Sequence, residues 1–187
     1  TGITTMRMDK GLDTGDMLLA RAIPIEDHDT ADTLHDRLAE LGAEVLLETL
    51  AGLSAGTLTP RPQDHAQATY ARLLKKADGL VDWTRPAPVL ERFIRGMTSW
   101  PGAFTFLGSE RIKIFRAQPV PADAPAPPGT VVSRFPGDIV VQTGAGGLSL
   151  LELQPASGRR MPVETFLQGH PVPPGTRFQG PPDAATT

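Results

Sequence analysis

Between residues 34 and 53 the apolar side chains Leu34, Leu38, Leu41, Val45, Leu46, Leu50 and Leu53 recur at helical spacing. Asp29 or Thr30 stands before them as an N-cap, Asp32 falls in the first turn, and Gly56 follows as a stop. One long amphipathic helix is predicted, and its leucine stripe demands an apolar surface to cover it. Only two strand-like runs come first. Thr1 to Asp9 alternates through Ile3, Thr5 and Met8, and Met17 to Ile25 is rich in apolar residues, with Pro24 near its end. Two strands and one helix bury too little surface to offset chain entropy, so residues 1–58 read as the end of a larger α/β unit. The chain opens on Thr1 and enters a strand at once, and further sequence upstream of Thr1 is expected.

From Thr57 to about Ala77 the texture changes to Pro60, Pro62, Gln63, Asp64, His65 and Gln67, then Tyr70 to Lys76, which reads as a linker over 59–77. Beyond it Thr84 can cap a shorter helix with Val89, Leu90, Phe93, Ile94 and Met97 on one face and Gly96 near the exit, ended by Trp100-Pro101-Gly102. Five short strands are predicted at Ala103–Leu107, Arg111–Ala117, Thr130–Ser133, Asp138–Thr143 and Leu148–Gln154. Turn signals separate them at Gly108-Ser109, Pro136-Gly137 and Gly144 to Gly147. This pattern favours a small β-barrel of the oligonucleotide-binding type over 78–179, with a sandwich as the alternative. Met161 to Leu167 suits a last helix with Pro162 in its first turn and Gly169 after it, and the tail 180–187 reads as disordered.

With 40% hydrophobic and 21% charged residues the chain has the composition of a globular protein. No apolar run approaches the ~18 residues of a membrane span, and the N-terminus lacks the basic-then-apolar order of a signal peptide. A soluble, cytoplasmic protein without a membrane partner is expected. The absence of cysteine excludes disulfides and thiolate metal sites. Charge is unevenly divided. Residues 1–69 carry five Lys or Arg against twelve Asp or Glu, a balance of −7, whereas residues 70–187 carry thirteen against nine, a balance of +4. Such asymmetry can separate a catalytic part from one that meets a polyanion, or can be a drift in surface composition.

The stretch from Met8 to Met17 sets Asp9, Asp13 and Asp16 with Gly11 and Gly15 between the first two strands. A calcium-hand reading fails on spacing, because Gly11, Thr14 and Ala20 stand where acceptors, glycine and glutamate would be required. Asp13 and Asp16 could equally hydrogen-bond amides within a turn. His28, His35, His65 and His170 do not assemble, and there is neither a Gly-x-Ser-x-Gly elbow nor a phosphate-cradling glycine loop. In the basic half, Arg72, Lys75, Lys76, Arg85, Arg92, Arg95, Arg111, Lys113, Arg116, Arg134, Arg159 and Arg160 accompany Trp83. Alternation from Glu110 to Arg116 puts Arg111 and Lys113 on one strand face, free to meet phosphate or simply solvated.

Thr1 to Leu18, with its Gly-Leu-Asp-Thr-Gly-Asp core at 11–16, closely resembles the formyltransferase family. The order downstream resembles the branch of it that acts on methionyl-tRNA: Gln63-Asp64 through Thr69-Tyr70-Ala71, Val81-Asp82-Trp83, Leu90-Glu91-Arg92, Trp100-Pro101, Lys113 and Leu153 to Ala156, reaching about Phe178. The resemblance implies the end of a Rossmann-like catalytic domain, a linker and a tRNA-contacting barrel. The reaction it implies is transfer of formyl from 10-formyltetrahydrofolate to the amino group of methionyl initiator tRNA, with no metal and no DNA. Of the family's catalytic Asn, His and Asp, only the Asp position is present, as Asp13. The Asn-x-His and Ser-Leu-Leu-Pro segments are expected upstream of Thr1, and residues 1–187 alone are expected to be inactive. Gly11 and Gly15 would let backbone approach the folate ring, Leu12 and Thr14 would line its site, and Asp16 would support the loop. Lys75, Lys76, Arg111 and Lys113 would contact the tRNA. The alternatives are another folate-dependent formyltransferase or hydrolase, and a non-catalytic RNA-binding module.

Overall fold

The computed structural model describes residues 1–122, 125–133 and 137–180. The predicted tail 180–187, apart from Gly180, and Arg134 and Pro136 lie outside the described residues. Two compact units divide the chain at Leu73/Leu74, so the 59–77 stretch is shared between them.

In the first unit, β1 (Gly2–Met6) and β2 (Met17–Ala22) form an antiparallel pair, with a register irregularity between Thr5 and Met6 where the strands give way to the acidic loop. Helix α1 (Ala31–Ala55) crosses this pair. Its start is a reciprocal cap: the Thr33 amide donates to Thr30 Oγ1 at 3.2 Å and the Thr30 amide to Thr33 Oγ1 at 2.9 Å, satisfying two helix-end donors. The buried Asp29 carboxylate accepts from the Glu26 amide at 2.8 Å and pairs with Arg37, and the backbone hydrogen bond leads the causes that hold its pKa below the usual carboxylate value. Gly56, at φ 66°, closes the helix in the left-handed conformation that favours glycine.

Only part of the leucine stripe is covered. Val45 and Thr49 are buried against the strands, with Thr49 Oγ1 2.8 Å from Thr5 Oγ1, while Leu46, Leu47, Leu50 and Leu53 remain exposed, Leu47 to 69%. Two strands cannot shield 25 residues of helix, and the uncovered leucines form a patch of the kind that marks a contact surface.

The second unit is built on an antiparallel sheet of order β5-β6-β4-β3-β8, with β7 paired to β6. Its strands are β3 (Ala103–Leu107), β4 (Glu110–Val120), β5 (Ile139–Gln142), β6 (Gly147–Gln154), β7 (Met161–Pro162) and β8 (Phe178–Gln179), with helices α2 (Ala87–Gly96) and α3 (Val163–Gly169). Alternation along β4 sends Ile112 and Ile114 into the core, where they meet Leu148, Leu150 and Leu153 of β6, Leu90 and Ile94 of α2, and Phe166 of α3. Burying an apolar side chain of this size contributes about 1.5–3 kcal/mol, so these contacts dominate the unit's stability.

The predicted strand Thr130–Ser133 is not a regular strand. Residues 129–132 instead join the two ends of the sheet. On the β5 side Gly129 donates to the Gln142 carbonyl at 2.8 Å and Val132 to Val140 at 2.7 Å. On the β8 side Val131 donates to Thr176 and Phe178 to Gly129, both at 2.8 Å. Thr84 does not cap α2: Pro86 occupies the N-cap, and the Thr84 hydroxyl donates to Asp82 Oδ1 at 2.6 Å in a local turn. No helix among the described residues is long and apolar enough to cross a membrane.

Candidate active site

The loop between β1 and β2 is shaped by its own polar groups. Asp9 Oδ1 accepts from the Gly11 amide at 2.9 Å and from Thr14 Oγ1 at 2.7 Å, an Asx-type closure that folds the loop over itself. These bonds favour the charged carboxylate, and the Thr14 hydroxyl, ahead of the Gly11 amide, holds the Asp9 pKa below its ordinary value. A group depressed on folding contributes order that is present above the ordinary carboxylate pKa and lost as pH falls through the lowered value. Replacing Thr14 with Val is therefore expected to move the Asp9 carboxyl titration, followed by carbon NMR, up toward the ordinary value. An unmoved titration would contradict this cause.

Asp13 sits at the crest with φ 55°, the sole non-glycine residue at positive φ among the described residues. Asp tolerates this region better than most residues with a β-carbon, and contacts from the surrounding chain hold it there. Those contacts come from outside the loop: Gln63 Nε2 donates to the carbonyls of Asp13 at 2.9 Å and of Gly15 at 2.7 Å. Met17 and Arg61 exchange backbone hydrogen bonds at 2.8 and 2.9 Å, fixing the register of the Gln63 segment beside the loop.

The two glycines let parts of the loop pack closely on one another. A β-carbon on Gly15 would lie 1.6 Å from the Arg7 carbonyl oxygen, and one on Gly11 would lie 2.0 Å from Thr14 Oγ1. Each glycine thus permits a close approach of the chain's own atoms. Asp16 contributes through its backbone, its carbonyl accepting from the Arg7 amide at 2.9 Å.

Leu12, Asp13, Thr14 and Met17 form one wall of a cleft of about 570 Å³, and Gln63 to His65 with Gln67 to Ala71 form the other. Leu12, 78% exposed, and Tyr70, 86% exposed, present apolar surface at this cleft. The volume suits a small organic molecule. Sequence reading missed Gln63 as a site residue and gave no role to Asp9 in the loop. Asp9 carried a local signal, Asp followed by Gly two residues on, whereas Gln63 reaches across 48 to 50 residues and carried none. Among the described residues no group of three His, Asp or Glu side chains gathers in the way a metal ion requires.

In the second unit Lys75 and Lys76 are exposed at the start of a short 3-10 turn, Lys76–Gly79, where the Lys75 amide donates to Asp78 Oδ2 at 2.6 Å. Arg111 and Lys113 share the outer face of β4, as the alternation predicts, opposite Phe106 and Phe104 of β3. Arg111 is not a free side chain, however. Its guanidinium lies 3.8 Å from the centre of the Phe104 ring, and its Nε is buried without a hydrogen-bond partner. The ring fixes the guanidinium plane and leaves its terminal nitrogens to meet an acceptor.

Comparison with known proteins gives a consistent result. The model of the family described as formyl transferase matches residues 1–50, and that of the formyl transferase C-terminal domain matches residues 73–171. The chain is 48% identical over 176 residues to a methionyl-tRNA formyltransferase of Caldanaerobacter subterraneus, covering 94% of this chain and 57% of that protein. It is 45% identical over 186 residues to one of Heliobacterium modesticaldum, covering 95% of this chain and 59% of that protein. The chain thus spans about half the length of the curated relatives it matches. Among solved structures it resembles HypX from Aquifex aeolicus in complex with tetrahydrofolic acid, with a TM-score of 0.61 and 23% identity over 89% of this chain and 29% of that one. At that identity the likeness speaks for the fold.

Proposed function

This chain belongs to the formyl transferase family, and from that premise we propose that it is the C-terminal part of an enzyme that moves a formyl group from 10-formyltetrahydrofolate to the amino group of methionyl initiator tRNA. The observation that carries the acceptor assignment is the near end-to-end likeness to relatives named for that reaction, spanning both units. That reaction would give the enzyme a cytoplasmic role in translation initiation.

The chemistry assigns parts to the residues. The methionyl amine attacks the formyl carbon, the carbonyl oxygen gains negative charge, the attacking nitrogen loses a proton, and the bond to the folate nitrogen breaks as that nitrogen is protonated. Asn and His side chains supplied by the remainder of the enzyme would stabilise the oxyanion. Asp13, on the cleft, would orient the His, raise its pKa and help carry the proton, directly or through water. Leu12, Thr14 and the glycine-shaped loop would form the folate side of the pocket, with Gly11 and Gly15 acting by shaping the loop. With Asn and His groups outside residues 1–187, this stretch alone would not turn over, and the uncovered leucines of α1 would pack against the rest of the catalytic domain.

The second unit, read as an oligonucleotide-binding-like barrel joined through residues 129–132, would hold the tRNA. Lys75 and Lys76 would meet the tRNA as exposed cations, and Arg111 and Lys113 its phosphates. Changing Arg111 and Lys113 together to Ala is expected to weaken tRNA binding across all sequences and to lower the slope of log affinity against log salt by about 2, close to one per lost phosphate contact. Filter binding between low and moderate salt measures it, and an unchanged slope would remove the two residues from the interface.

A further inference from the structure

We propose that Gln63 is a positioning residue whose side-chain amide holds Asp13 in its left-handed conformation on the cleft wall. The conformational part stands on geometry alone, and its catalytic consequence rests on the reading of Asp13 given above. The Asp13 carboxylate takes no side-chain hydrogen bond among the described residues, so its direction is set by the backbone that carries it. That backbone is held at two carbonyls, those of Asp13 and Gly15, which converge on one nitrogen at 2.9 and 2.7 Å. Two acceptors meeting at one point require a group with two N–H bonds, which a primary amide supplies and a carboxylate or hydroxyl does not. Gln63 reaches that point because Arg61, two residues before it, is bonded by backbone to Met17 in both directions. On the far side the Arg7 carbonyl fills the space where a Gly15 β-carbon would stand, so the loop is gripped from both sides. Small displacements of a catalytic group are costly in rate, and a residue that fixes Asp13 acts on the chemical step through Asp13.

The test uses the longer protein that carries this chain, in parent form and as Gln63→Ala, Gln63→Glu and Asp13→Asn. Crystals of Gln63→Ala should show Asp13 out of the left-handed region or its loop without fixed order, and Gln63→Glu, which faces two carbonyls with a carboxylate, should do the same. Asp13 unchanged at positive φ in both variants would overturn the proposal. In single-turnover formyl transfer kcat should fall about 10²-fold in Gln63→Ala with KM for the tRNA within about twofold, and the Gln63→Ala, Asp13→Asn double variant should lose no more than Asp13→Asn alone. Full additivity of the two losses, or a change in KM alone, would overturn the positioning role. A silent Asp13→Asn would instead defeat the reading of Asp13 as catalytic, and the conformation of Asp13 in the Gln63 variants would still decide the clamp.

Discussion

Replacing Asp13 with Asn in the longer protein is expected to slow formyl transfer by about 10²–10⁴-fold, the range typical of a lost acid–base group, while tRNA binding stays unchanged. The substitution keeps size and the tolerance of positive φ, since Asn is among the residues that adopt the left-handed region most readily. It removes only the charge. An orienting carboxylate that stabilises the protonated form of a His neighbour cannot be replaced by an amide, which offers neither the charge nor the same proton chemistry. The measurement is single-turnover transfer at saturating donor and tRNA, with tRNA affinity measured separately. A loss of less than a few fold would return the loop to the status of an acidic turn, the reading its composition allows on its own.

The largest effect on stability is expected at Trp83. Its ring is buried to 5% exposure and lies 6.0 Å from Phe178, and its Nε1 donates to Thr105 Oγ1 at 3.0 Å. Thr105 in turn donates to the Gln179 carbonyl at 3.1 Å, so one side chain ties β3 and β8 together and backs the segment that joins the ends of the sheet. Trp83→Ala should destabilise the second unit by about 3–5 kcal/mol, the cost of emptying a large aromatic site. Trp83→Phe should cost less, about 1–3 kcal/mol, because it refills most of the volume and leaves the Thr105 oxygen without its indole donor. Denaturant unfolding followed by circular dichroism measures both. Equal losses would mean that the hydrogen bond, and not the packing, dominates this site.

Local pattern made some elements legible and left others out of reach. Helix α1 could be bounded to within a residue because Thr30 and Gly56 act through contacts in their own neighbourhood. Strand β3 matches its predicted bounds for the same reason, flanked by Gly102 and Gly108. Strand β4 runs on to Val120, past the predicted end at Ala117, through Gln118 and Pro119, where apolar alternation fails but pairing with β6 continues. Strand β8 is two residues long and is held by β3 and by Gly129, so no periodicity could announce it. Thr84 shows the opposite error, a capping residue type whose hydroxyl found a nearer acceptor in Asp82.

The site divides in the same way. Asp13 stood out through family resemblance, and the acidic loop through its composition, yet neither disclosed that Asp13 sits at positive φ or that Gln63 holds it. The glycine spacing marks points of close approach, while the contacts of Gly15 with Arg7 and of Gly11 with Thr14 depend on the folded loop. Arg111 and Lys113 were placed on one face by alternation, whereas the stacking of Arg111 on Phe104 depends on strand pairing that sequence spacing does not encode.

The most direct measurement is formyl transfer from 10-formyltetrahydrofolate to methionyl initiator tRNA by two proteins side by side, residues 1–187 and the longer enzyme that contains them. The expected result is formyl-methionyl-tRNA from the longer enzyme only, with residues 1–187 still binding the tRNA in a salt-dependent way. Turnover by residues 1–187 at a rate near that of the longer enzyme, or a longer enzyme that formylates a nucleotide sugar and leaves the tRNA untouched, would contradict it.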